Sequence, residues 1–116
     1  MAISRFEDII SWQKSRKLVI DIYKLFNSSK DFRFRDQIQS AAVSVMNNIA
    51  KGFERKTNNE FRYFLFVAKG SVGEVRSMLY LAKDLNKISD EDFDRLYKQT
   101  VEISKLLSGL INKMKR

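Results

Sequence analysis

The sequence contains no cysteine, no histidine and no proline, and only four of its 116 residues are glycine. The absence of cysteine excludes disulfides and thiolate chemistry, and it is compatible with a reducing cytoplasm. Without histidine the chain lacks the most common general base and metal ligand, and the Glu-x-x-His motifs of a di-iron bundle are impossible. Because proline and glycine are the main helix breakers, their scarcity favours long uninterrupted helices.

Other features of enzymes and membrane proteins are also missing. No apolar run approaches the roughly 20 residues of a membrane span, and the start MAISRFEDII is not that of a signal peptide. We therefore expect a soluble cytoplasmic protein. There is no glycine-rich phosphate loop, and the acidic pairs at Glu7–Asp8 and Asp90–Asp94 lie near predicted helix starts, where they stabilise the dipole. The sequence predicts no enzyme, no metal site, no cofactor and no small-molecule substrate.

Apolar residues recur in alternating steps of three and four along four segments, which predicts four amphipathic helices. These cover Trp12–Phe26, Phe34–Gly52, Thr57–Ala82 and Ser89–Met114. Such steps indicate shallow crossing angles, and loops of about three to six residues make neighbouring helices antiparallel. The prediction is a single all-α domain spanning residues 1–116, folded as an antiparallel up-down-up-down left-handed four-helix bundle.

Four residues of the second and third helices are predicted to have structural roles. Asn48 and Gly52 fall on the apolar seam of the second helix, where Gly52 lets a neighbouring helix approach closely. A buried amide needs partners, so Asn48 is expected to bond a group across that contact; the alternative is a polar contact to a ligand. Thr57 and Glu60 form a capping box at the start of the third helix.

Three stretches of the chain resemble one known family: FEDIISWQKSRKL from Phe6, QIQSAAVSVMNNIAKGFER from Gln37 and NEFRYFLFVAKGSVGEV from Asn59. This is the four-helix-bundle family encoded by intervening sequences of bacterial 23S ribosomal RNA genes, together with its free-standing relatives. The segment from Asn48 to Gly52 is similar to the family signature Asn-Ile-Ala-Glu-Gly, with Lys51 in place of the glutamate. Met46 stands where the family usually has proline, so the helix keeps a backbone donor there.

The resemblance implies the bundle fold, a homo-oligomer with five subunits in at least some relatives, and an association with RNA. It implies no catalytic activity. The composition agrees with a polyanionic partner, since 22 Lys and Arg against 14 Asp and Glu give a net charge of +8. The alternative interpretation is that this excess of positive charge serves solubility alone.

A basic stripe runs along the third helix, where cations recur every seven residues at Arg62, Lys69, Arg76 and Lys83. An aromatic residue follows one turn after two of them, Phe66 after Arg62 and Tyr80 after Arg76. Cations beside stacking rings are typical of a sequence-tolerant nucleic-acid surface, whereas the alternative is a solvated face whose stems cover apolar neighbours. The pair Arg55 and Lys56 predicts a second phosphate contact, although the capping box already satisfies part of that helix start.

The third helix has more apolar residues than one buried face requires, which predicts self-association. The residues assigned to this interface are Phe64, Phe66, Val67, Gly73, Tyr80 and Leu81. Scattered aromatic residues are also normal on monomer surfaces, and this alternative stays open. The sequence thus predicts a non-catalytic oligomeric bundle that binds RNA through six cations (Arg55, Lys56, Arg62, Lys69, Arg76 and Lys83). The alternative function is a protein–protein scaffold or adaptor without nucleic acid.

Overall fold

The computed structural model describes residues 3–114, and most of them are helical. A short 3-10 turn at Phe6–Asp8, which the sequence did not predict, precedes four α-helices. The helices are α1 Ile10–Phe26, α2 Phe32–Phe53, α3 Asn58–Asp84 and α4 Asp90–Lys113. Across residues 3–114, no helix combines the length and the apolar character that crossing a membrane requires. The four predicted helices are confirmed, with ends that differ from the expected ones by only a few residues.

Side-chain caps determine where three of the helices begin. The hydroxyls of Thr57 and Ser89 accept hydrogen bonds from the backbone N–H groups three residues later, at 3.1 and 3.0 Å. The Asp31 carboxylate caps α2 in the same way at 3.2 Å. Glu60 accepts a 3.3 Å hydrogen bond from the Thr57 hydroxyl. The caps at Thr57 and Ser89 were predicted, whereas the one at Asp31 was not.

The helices pack in a ring in which α1 contacts α2, α2 contacts α3, α3 contacts α4, and α4 contacts α1. The loops at 27–31, 54–57 and 85–89 are short, so consecutive helices run antiparallel. The molecule measures 44 × 21 × 19 Å, as expected for rods lying side by side. All four helices contribute to the fully buried core, which includes Leu18, Ile22, Ile38, Val45, Leu65, Val72, Leu96, Ile103 and Leu107. The predicted all-α up-down-up-down bundle is confirmed.

At Gly52, near the end of α2, the backbones of α2 and α3 lie close together. A β-carbon built on this glycine would lie 2.7 Å from the Phe64 Cβ and 3.2 Å from the Phe61 carbonyl oxygen. The first distance is shorter than real β-carbons show, so a larger residue would force the two helices apart. The predicted role of Gly52 in close helix approach is confirmed.

One polar link between α2 and α3 passes through two serines. The Asn48 side-chain amide donates to the carbonyl oxygen and the hydroxyl of Ser44 in its own helix, at 2.8 and 2.9 Å. The Ser44 hydroxyl in turn lies 2.9 Å from the Ser71 hydroxyl of α3. The expected direct bond from Asn48 across the contact is therefore wrong. Ser44, one turn earlier on the same face, lies between the amide and α3.

A polar cluster around Asp21 joins α1 to α4. The Asp21 carboxylate accepts hydrogen bonds from Lys17 and from Gln99 of α4, both at 2.9 Å, and Arg95 lies at 3.4 Å. Partial burial raises the pKa of this carboxyl, but the hydrogen bonds and the two positive charges outweigh that effect. The pKa of Asp21 therefore lies below its ordinary value of 3.8, because the folded state favours the ionised form.

Stability should depend on the ionisation of Asp21. A lowered folded-state pKa means that the stabilisation is present above the ordinary pKa of 3.8 and is lost as the pH falls through the folded-state pKa. We expect Asp21→Asn to lower the free energy of unfolding by about 1 kcal/mol at neutral pH. Urea denaturation of both proteins at several pH values measures this difference. A difference that persisted undiminished at about pH 2 would contradict the assignment.

Candidate nucleic-acid interface

All six cations predicted to contact nucleic acid lie on α3 or in the turn before it, and none forms an ion pair with another group of residues 3–114. Some cations elsewhere in the bundle do form such pairs, whereas others, such as Lys24 and Lys30, do not. Lys14 lies 3.2 Å from Glu102, and Lys87 lies 2.9 Å from Asp31. The six predicted cations are therefore distinguished by their common position on α3 and the turn before it, together with the absence of ion pairs within residues 3–114.

Four of the six cations form one band on the side of α3 that faces α4. Residues seven apart on a helix are displaced by only about 20° around its axis. At the end of the band, the Lys83 ammonium lies 4.6 Å from the centre of the Phe93 ring of α4, which fixes the direction that the band faces. This band is called the α3 stripe and consists of Arg62, Lys69, Arg76 and Lys83. Lys83 is exposed and the other three side chains are half-buried.

Arg62 is held by an aromatic ring rather than by a carboxylate. Its guanidinium carbon lies 5.2 Å from the centre of the Phe66 ring, as the spacing of the two residues predicted. The Arg62 Nε atom is buried and has no hydrogen-bond partner within residues 3–114. The two terminal nitrogens of a guanidinium carry four further donors, which can bind a phosphate in a fork geometry. The contact with the Phe66 ring therefore holds the guanidinium donors of Arg62 in place and does not neutralise its positive charge.

The second predicted cation–aromatic pair has a different geometry. Within the described chain, Arg76 stacks on no ring. The Tyr80 ring instead packs against two rings of α4, with centres 5.2 Å from Phe93 and 5.8 Å from Tyr97. The Tyr97 side chain beside it raises the pKa of the Tyr80 hydroxyl above its ordinary value. Tyr80 is thus part of an aromatic cluster at the end of the α3 stripe.

Arg55 and Lys56 lie at the other end of α3, in the exposed turn from α2. The Arg55 guanidinium lies 4.8 Å from the centre of the Phe64 ring, and the Lys51 ammonium approaches the same ring at 5.5 Å. Sequence reasoning missed Lys51 as a member of this group. Its position one helical turn before Arg55 is the signal that could have found it. Arg55 and Lys51 therefore both lie over the Phe64 ring, near the start of α3.

A cleft of about 620 Å³ lies next to this turn. Arg55 and Lys56 line it together with Lys113 from the end of α4, and apolar side chains such as Phe61 contribute much of the remaining surface. Thr57 caps the adjacent start of α3, so part of that helix terminus already has a partner. Lys113 thus adds a third positive charge near Arg55 and Lys56. The spacing of residues along the sequence did not indicate that these three lie close together.

The six residues predicted for self-association do not share one side of α3. Phe64 packs toward Gly52 of α2 and lies under two cations, so the chain itself accounts for its position. Phe66, Gly73 and Tyr80 follow each other at seven-residue intervals beside the α3 stripe. Val67 and Leu81 lie farther round the helix, on the side away from α4. The exposed apolar residues of α3 and its C-terminal cap are Tyr63, Phe66, Tyr80, Leu81 and Leu85.

Fold and surface together define a basic, all-α four-helix bundle whose longest helix carries a positive band without ion pairs to the rest of residues 3–114. The sequence matches the family model described as 23S rRNA-intervening sequence protein over residues 7–109, and the chain belongs to this family. A crystal structure of a protein of unknown function from the S23 ribosomal protein family of Bacteroides thetaiotaomicron is similar, with a TM-score of 0.83. The two sequences are 25% identical, and the match covers 88% of this chain and 98% of the other. Among curated proteins, none matches.

Proposed function

We propose that this protein is a non-catalytic, self-associating bundle that binds RNA through the α3 stripe and the turn before it. The observation that carries the proposal is that these cations lie together on α3 and the turn before it and have no carboxylate partners within residues 3–114. A cation without an ion pair can neutralise a phosphate and release condensed counterions without first breaking an interaction of its own. Arg55, Lys56, Arg62, Lys69, Arg76 and Lys83 are the proposed phosphate contacts.

The geometry of the α3 stripe suits an extended polyanion. Its members repeat about every 10 Å along the helix axis, so the four charges extend over about 30 Å. The ammonium of Lys83 and the guanidinium of Arg62 each rest beside a ring, which holds the side chain without neutralising it. Family membership favours RNA as the polyanion, since the family is named for 23S rRNA intervening sequences. The net charge of +8 supports the same class of partner.

Self-association is proposed on the side of α3 that faces away from α4. Leu81 and Leu85 are 47% and 55% exposed, and Tyr63 at the other end is 62% exposed. Gly70 adds a bare backbone among them, since beyond its chain neighbours and the backbone of α3 no atom lies within 4 Å of the position that a β-carbon would take. An exposed apolar band with a close-approach point suits the helix of a second copy. The family resemblance favours a ring of five subunits.

Light scattering combined with RNA binding tests both halves of the proposal. We expect the purified protein to have a mass several times that of the 13.6 kDa chain and to bind a fluorescent ribosomal RNA fragment in low salt. An assembly that binds no RNA at any salt concentration would contradict the RNA-binding half and favour a protein-only scaffold. A monomer that binds RNA would contradict the self-association half.

A further inference from the structure

Two exposed rings lie on the same side of α3 as its cations. At about 100° per residue, Phe66 is displaced by only about 40° from Arg62, and Tyr80 is displaced equally from Arg76. Each ring is 50% exposed, so one part is fixed by the protein and the rest is open. The rings and cations therefore share a single surface, distinct from the outer side that carries Leu81.

Both rings are supported so that they keep their orientation. The Phe66 ring is contacted by the Arg62 guanidinium at 5.2 Å. The Tyr80 ring is supported by Phe93 and Tyr97, which themselves stack with centres 5.6 Å apart and planes inclined by 23°. A ring that is fixed before binding loses little conformational freedom when a ligand stacks on it. Phe66 and Tyr80 are therefore preorganised platforms.

On the basis of the proposed function, we propose that Phe66 and Tyr80 stack on unpaired bases, so that the RNA partner is single-stranded along the α3 stripe. Aromatic rings can bind a single strand because each unpaired base offers a free face on which a ring can stack. In a duplex the bases are already stacked on each other, and the major groove of A-form RNA is too narrow for side chains. A protein that bound only duplex phosphates would need the cations but not the rings.

The positions of Phe66 and Tyr80 along α3 allow both rings to contact one continuous RNA strand. Phe66 and Tyr80 are fourteen residues apart, which corresponds to about 21 Å along the helix axis. Gly73 lies midway between them on the same side, and beyond its chain neighbours and the backbone of α3 no atom lies within 4 Å of the position that a β-carbon would take. The bare backbone leaves the space between the two rings open for a strand to pass close to the helix. Lys69 and Arg76 lie on either side of this opening.

The positive charge of the α3 stripe favours RNA, rather than a second copy of the chain, as the partner of this surface. A ring of subunits joins two different sides of the chain, and its contact is proposed on the outer side that carries Leu81. A two-fold contact through the side of Phe66 and Tyr80 would place the α3 stripe of one copy against that of the other. Within residues 3–114 no carboxylate pairs with these cations, so the two-fold contact would bring like charges together. A polyanion removes that repulsion. We therefore assign to RNA the two rings that sequence analysis gave to self-association, and the mass of the ring variants tests whether a neighbouring subunit covers them instead.

The test compares a labelled single-stranded RNA with a duplex of equal length, using the full chain and fluorescence anisotropy at one fixed salt concentration. The variant Phe66→Leu/Tyr80→Leu keeps apolar bulk but removes both π faces. Loss of stacking is worth roughly tenfold in affinity for each ring. We therefore expect about 100-fold weaker binding of the single strand with an unchanged salt dependence. The control Tyr23→Leu, an exposed tyrosine of α1, should leave binding unchanged.

Light scattering of the same variants completes the test. The inference is supported if wild type prefers the single strand, the double variant loses that preference, and its mass is unchanged. It is overturned if wild type binds the duplex as tightly and the double variant binds both RNAs normally, a result that leaves the proposed function intact. It is also overturned if the double variant dissociates into monomers while its affinity per chain is retained. Failure of wild type to bind either RNA would refute the proposed function itself.

Discussion

Replacing Arg62, Lys69 and Arg76 by glutamine is expected to weaken RNA binding by about 100-fold in low salt, or about 1 kcal/mol for each phosphate contact removed. The expected loss is large because these charges have no ion pair in residues 3–114 and are free to neutralise phosphates. All three side chains lie at the margin of the core, so glutamine can retain most of their packing. Fluorescence anisotropy measures the affinity, and circular dichroism shows whether the bundle remains folded.

A matched control separates a binding surface from a general effect of net charge. Lys24, Lys30 and Lys98 are exposed, and within the described chain they too form no ion pair. Changing these three to glutamine lowers the net charge by the same amount, but none of them lies on α3. We expect this control to lose no more than a few-fold in affinity. Equal losses in the two triple variants would mean that the RNA has no preferred surface.

The substitution Gly52→Ala is expected to destabilise the bundle by about 1–2 kcal/mol. Two effects oppose each other, since alanine gains up to about 1 kcal/mol of helix propensity but must fit where the Phe64 Cβ lies 2.7 Å away. The neighbouring atoms include the backbone of Phe61, which cannot move aside as a flexible side chain can. The steric cost of the added methyl group should therefore exceed the gain in helix propensity, so the free energy of unfolding falls. Thermal and urea denaturation measure the change, with an expected fall in melting temperature of several degrees.

Gly109→Ala is the control for the intrinsic propensity of alanine. This glycine also lies inside a helix, but beyond its chain neighbours and the backbone of α4 no atom stands within 4 Å of the position that a β-carbon would take. We expect a gain of up to about 1 kcal/mol, opposite in sign to the effect at Gly52. Stabilisation by both substitutions would show that the contact between α2 and α3 relaxes freely, contrary to the close approach described above.

The helices and two of their starts could be predicted because local chemistry determines them. The spacing of apolar residues locates each segment, and Thr57 and Ser89 satisfy backbone donors that their helices leave free. Asp31 does the same for α2, but it follows a polar turn in which several residues could serve as the cap. The 3-10 turn at Phe6–Asp8 is held partly by the edge-on contact between Phe6 and Trp12, which no short periodic pattern indicates.

The partners of the side chains were predicted less well than the helices. The spacing of Asn48 placed it correctly on the buried side of α2, yet its amide bonds Ser44 in the same helix. A repeat tells which residues share a side of a helix, but it does not tell which neighbour that side meets. For the same reason, the assignment of Phe66 and Tyr80 to one interface with Val67 and Leu81 could not anticipate that α4 contacts Tyr80 directly.

The salt dependence of RNA binding is the most direct test of the central claim. This claim is that the cations of α3 and of the turn before it, which have no ion pair within the described chain, form a phosphate-binding surface. For a single strand, the logarithm of the association constant should fall with the logarithm of salt concentration with a slope of about −0.7 for each phosphate neutralised. The six proposed contacts predict a slope of about −4, and the glutamine variant of Arg62, Lys69 and Arg76, which keeps three of them, should reduce it to about −2. Identical slopes for the two proteins, or a wild-type slope near zero, would contradict the account.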